Sequence, residues 1–175
     1  MITKEQFLDE LRHETAVIKH LATKLVPGTG DWRPSPVQRS MIELMRYLTC
    51  CASVPISSAI KGNWDDAEPL EKAAEAVTLE NFAAGMDAQM RLIESLLADV
   101  TVGHMLEAEA TLPWGKPIRL GAALVSMGIK PLAAYRMQFF LYVKQSGNHD
   151  IGPANCWVGV DAPKPPAAAG GAVVA

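Results

Sequence analysis

The residues of this chain with chemistry to offer are few: four histidines, three cysteines, and some scattered carboxylates, tyrosines and arginines. His13 and His20 stand on one helical stretch two turns, ~10 Å, apart, which is too far to share an ion. His104 and His149 fall in segments that read as loops, and neither HxxxH nor HExxH occurs. A three-histidine metal site is therefore unsupported, and the four read as surface or hydrogen-bonded imidazoles. Cys50 and Cys51 lie inside an apolar helical run, where a thiol is buried and unreactive. Cys156, in the NCW before the tail, packs as a small apolar residue. There is no nucleophile elbow, phosphate loop or dinucleotide fingerprint.

Glu14 is the more pointed feature. It is the single polar residue on a seam of Phe7, Leu11, Ile18, Leu21 and Leu25. A carboxylate there needs a donor, because an unpaired buried charge is costly. Arg39, Arg46, Tyr47, Tyr135 and Arg136 are the candidates. Tyr47 and Tyr135 also stand among core-type residues, where the ring buries area and the hydroxyl seeks one partner.

These residues must be positioned by helices. The stretch Lys130 to Gly147, KPLAAYRMQFFLYVKQSG, reads as the last helix, apolar on more than one side and ended by its glycine. A first helix runs from Thr3, an N-cap, to about Val26, stopped by Pro27-Gly28. The loop GTGDWRPSP follows, anchored by Trp32. A second helix starts near Ser35-Pro36 and continues to about Ile60, with a kink or early end at Pro55. Lys61 to Glu75 reads as a connection with one short helical turn, long enough for a crossover. A third helix runs from Thr78 to about Asp99 on a stripe of Leu79, Phe82, Met86, Met90, Ile93 and Leu97. Within Val102 to Leu120, Leu106, Ala108 and Ala110 alternate with Glu107, Glu109 and Thr111, which predicts an extended arm or loose hairpin. The last helix begins near Leu120 and is interrupted at Pro131. From Asn148 regular structure should fade, and the closing DAPKPPAAAGGAVVA is expected to be a mobile tail. Residues 1–150 thus form one bundle domain and 151–175 a Pro/Ala/Gly-rich tail.

Composition sets the outer bounds. Apolar residues make up 49% and charged residues 20% of 175, a compact and slightly apolar globule. A net charge of -3 with dispersed Lys and Arg disfavours nucleic acid. No run approaches a membrane span, and the polar opening MITKEQFLDE lacks a secretory signal. An odd cysteine count without CxxC suits a reducing cytoplasm.

Three segments in order carry a resemblance: WRPSPVQRSMIELMRYL (Trp32 to Leu48), PWG (Pro113 to Gly115) and YRMQFFLYVKQSG (Tyr135 to Gly147). Together they resemble the DinB/YfiT-like superfamily, in which a tryptophan loop enters helix two and a PxG-type turn precedes helix four. An HRxQ stretch, an apolar run and a glycine then follow. The resemblance implies an all-α four-helix bundle with a long crossover, a short extended arm before the last helix, and a homodimer. It also implies a divalent nickel or zinc held by three histidines, and in some members thiol-dependent transferase chemistry.

The family's ligand positions are all replaced here. Tyr47 stands at the helix-two histidine, Tyr135 directly before Arg136, and Pro131 four residues earlier. Proline offers no side-chain donor, and a phenol must first lose a proton of pKa near ~10. Two rings and a proline could instead fill the vacated space. The expectation is a degenerate site with no metal and no cofactor, acting as a dimeric small-molecule-binding bundle. Its pocket would be formed by Glu14, Trp32, Tyr47, Pro131, Tyr135 and Arg136, with the two tyrosine hydroxyls bonded to Glu14 or Arg136. The alternative is a DinB-type metal-dependent hydrolase or thiol-dependent transferase with relocated ligands, arguable if His13 or His20 turns inward beside Glu14. A structural or regulatory partner protein comes third.

Overall fold

The computed structural model describes residues 2–163, and among these the chain is predominantly helical with one small two-stranded hairpin. Helix α1 (Lys4–Ala22) opens on a reciprocal cap, with Gln6 N–H donating to Thr3 Oγ1 and Thr3 N–H to Gln6 Oε1. Its buried face carries Phe7, Leu11, Ile18 and Leu21, and Glu14 among them. The helix stops short of Val26 because Thr23 turns its N–H and its hydroxyl back onto the His20 carbonyl.

The predicted second helix is two helices. Ser40, not Ser35, caps α2 (Met41–Leu48) in a capping box with Glu43. The Trp32 loop lies across this N-terminus, its Gly30 and Trp32 carbonyls accepting from Ile42 and Met41 N–H. Helix α3 (Ser53–Lys61) follows after a break at residues 49–52. Pro55 thus sits in the first turn of α3, where a missing N–H costs least, rather than at a kink. The break is filled by Gln89, only 4% exposed. Its amide donates to Leu48 O at 2.9 Å and accepts from Ala52 and Ser53 N–H at 3.0 and 3.2 Å.

The presumed connection holds a full helix, α4 (Ala67–Glu75), followed by α5 (Phe82–Leu96). Thr78 caps a turn ahead of α5 by exchanging bonds with Asn81. A short α6 (Val102–Glu107) precedes the hairpin of β1 (Glu109–Thr111) and β2 (Pro117–Arg119), antiparallel with Ala110 opposite Ile118. The hairpin covers only part of the stretch expected to be extended, because Val102–Glu107, with Leu106 of the alternating set, is helical and capped by Thr101.

Helix α7 (Leu120–Leu124) runs through a wide π-turn (Val125–Ile129) into α8 (Lys130–Gln145). Pro131 does not interrupt it. The widened turn, in which Lys130 N–H reaches back to Val125 O, absorbs the proline ring that would clash one turn back. Gly128 within it meets α3 and α1: an added Cβ would lie 2.9 Å from Ile56 Cδ1 and 3.2 Å from Phe7 Cζ. Gly147, at φ 128°, ends the helix.

Helix α1 packs on α5 and α8, α2 on α8, and α3 on α5. Phe7, Phe82 and Phe139 are fully buried at the centre, with Phe82 and Phe139 rings 5.9 Å apart. Each such side chain contributes roughly 1.5–3 kcal/mol on burial.

The segment assigned by sequence to a fading tail is instead ordered through residue 163. A second π-turn (Ala154–Val158) lies on α1 and α8. Its exit at Gly159, φ 73°, brings the backbone so close that a Cβ would stand 3.2 Å from Val17 Cα. The rest of the expected tail lies outside the described residues.

Candidate functional site

The six residues expected in one pocket are distributed over three places. Glu14 and Arg136 face each other between α1 and α8, Nε to Oε2 at 2.7 Å, with 9% and 5% of their side chains exposed. The N–H is not aimed along that line, and neither atom has a well-directed hydrogen bond. The guanidinium instead donates through Nη1 to the Cys156 carbonyl. The Trp157 ring covers it, 4.5 Å from centroid to guanidinium carbon. Burial raises the Glu14 carboxyl above its ordinary value, opposed by the positive charge of Arg136.

The two histidines of α1 both meet the C-terminal segment. His13 is exposed and meets the Trp157 carbonyl at 3.0 Å, which fixes hydrogen on Nε2 because a carbonyl only accepts. His20 Nε2 accepts from Asn155 Nδ2 at 3.1 Å, and that amide also donates to Asp161. Burial, reinforced by Lys24, lowers the His20 pKa and keeps the ring neutral, so its 3.7 Å approach to Asp161 is not an ion pair. Lys24 pairs with Asp161 at 2.6 Å. Both histidines are thus engaged with the C-terminal segment, and neither joins Glu14.

Tyr47 and Tyr135 meet each other, ring centroids 4.7 Å apart at 69°, not Glu14 or Arg136 as expected. Glu14 and Arg136 are already matched to each other, and Arg136 also donates to the Cys156 carbonyl. Burial first, and the neighbouring phenol second, drive the Tyr47 hydroxyl well above its ordinary pKa. Arg39 lies over the Tyr47 ring at 4.3 Å. Trp32 stands apart from both groups, edge-on to Tyr142 at 5.4 Å.

Tyr47 and Pro131 line a cleft of about 270 Å³ that the two rings and the proline do not fill. Its other walls include Cys50, Trp64, Glu71 and Trp114, drawn from the break after α2, the loop before α4, α4 itself and the hairpin turn. Trp64 and Trp114 are 47% and 68% exposed. Burial pushes the Cys50 thiol up to about 11, so it is protonated and a poor nucleophile at neutral pH. Sequence reasoning missed Trp64, Glu71 and Gln89. The available signals were a tryptophan in a polar connection and a lone glutamine on the Met86–Met90 stripe.

The metal that the resemblance implies does not fit these positions. Tyr47 and Tyr135 are phenols packed on each other, with the Tyr47 hydroxyl held protonated by burial, and Pro131 has no donor. Among the described residues no three His, Cys, Asp or Glu side chains group closely enough to hold an ion. Nor is any described helix long and apolar enough to cross a membrane. No family model matches the chain, and no curated protein matches it either.

Proposed function

We propose that this chain is a DinB-like bundle that has given up the family's metal and works as a homodimeric small-molecule-binding module. In this reading α1, α2 with α3, α5, and α7 with α8 are the four bodies of the bundle, and α4 lies in the long crossover. One observation supports the binding role above the rest. Two of the three residues at the inherited ligand positions, Tyr47 and Pro131, border an apolar cleft instead of packing it shut. Pockets of about this size with mostly apolar walls and few polar groups suit small organic ligands.

The test is protein purified without a tag, assayed for metal and for co-purifying small molecules by native mass spectrometry. Less than a tenth of an equivalent of nickel or zinc (~0.1 per chain) is expected, together with a ligand whose retention drops in Trp114→Ala. Stoichiometric zinc or nickel that survives dialysis would overturn the metal-free reading. Light scattering that gives a single-chain mass of 18.9 kDa would remove the dimer.

A further inference from the structure

We infer that the cleft beside Tyr47 takes an organic cation, a quaternary or tertiary ammonium group, held by aromatic faces and the Glu71 carboxylate. The inference rests on the small-molecule reading above and adds the charge of the ligand. Tyr47, Trp64 and Trp114 all line the same space, and Glu71 is the one formally charged residue among its walls. An aromatic ring presents negative potential on its face, so a cation over it is attracted electrostatically, most strongly by tryptophan. Glu71 adds a full negative charge at the same cleft. An anionic ligand finds no lysine or arginine among these walls and is repelled by Glu71.

The remaining polar groups of the walls carry no charge. The Cys50 and Cys51 thiols stay protonated because burial raises both. Ser126 and the Tyr47 hydroxyl are neutral. Arg39 already lies over the Tyr47 ring at 4.3 Å and Tyr135 packs on the same ring, so the aromatic area assigned to the ligand is that of Trp64 and Trp114. Lys130 is turned to Ser126 Oγ at 3.3 Å. Trp64 is just under half exposed and Trp114 about two-thirds although both line the cleft, so a ligand seated against them covers apolar area and gains the cation–π attraction at once. A compact trimethylammonium head fits the volume; a long acyl chain does not.

Choline and 3,3-dimethyl-1-butanol are the probes, because they differ only by a charged nitrogen in place of a carbon. Both are titrated against the full chain at constant ionic strength, read by tryptophan fluorescence and calorimetry. Choline is expected to bind about tenfold tighter than the alcohol. Glu71→Gln, a surface change on α4, should weaken choline several-fold and leave the alcohol unchanged, while Trp114→Ala should weaken both. Equal or tighter binding of the alcohol would overturn the cation assignment and leave the apolar cleft standing. If neither probe binds at millimolar concentration, the cation assignment also falls, and the co-purified ligand then decides the cleft separately.

Discussion

Arg136 Nε stands 2.7 Å from Glu14 Oε2 with both side chains more than nine-tenths buried, and the C-terminal turn covers them. Removing one member of such a pair leaves an uncompensated charge, which costs about 3–5 kcal/mol. Arg136→Met is expected to lose that much in urea unfolding. The double change Glu14→Leu with Arg136→Met should lose less than Arg136→Met alone, because no stranded charge remains. A single-variant loss below about 1 kcal/mol would mean that water already reaches the pair.

Gln89 joins the two halves of a broken helix, and its amide serves Leu48 O, Ala52 N–H and Ser53 N–H. Gln89→Leu keeps the volume and strands those groups, so it should cost roughly 2–4 kcal/mol. Hydrogen exchange at the Ala52 and Ser53 amides should speed up more than at the α1 amides. Uniform acceleration would show a global effect instead of a local one.

His20 holds the C-terminal segment as a neutral acceptor, and its folded pKa lies below the ordinary value of 6.5. The unfolded chain therefore binds the proton first, and the stability His20 contributes is present above ~pH 6.5 and lost as pH falls through the folded value. Glu14 titrates with the opposite sign, since its folded pKa is raised. Comparing wild type with His20→Gln cancels that term. Urea midpoints should show the wild type losing ground to the variant below ~pH 6.5; parallel curves down to pH ~5 would remove His20 from the clamp.

All three thiols are free and buried, and burial raises each of them. A disulfide reagent at neutral pH should label them at the rate of unfolding, with all 3 reacting once denaturant is added. Rapid native labelling of one thiol would identify a reactive cysteine and favour a thiol-transfer role.

The sequence by itself determined the helical class, the capped start of α1, the glycine stop after α8 and the odd Glu14 on an apolar seam. All of these are local: they follow from periodicity, from caps satisfied within three residues, and from one polar residue in a row of apolar ones. It also marked Arg136 as one possible partner for Glu14 without choosing among five. Tertiary structure made that choice, because α1 and α8 bring the two side chains together while Tyr47 and Tyr135 turn to each other. It also decided the helix break at residues 49–52, since the amide that completes it comes from α5. Pro131 forecast an interruption that a π-turn absorbed, a backbone adjustment no propensity records. The segment after Asn148 read as loose because its own composition cannot fold it. It is ordered by partners on other elements, Arg136, His13, His20 and Lys24, and only the folded chain places those beside it.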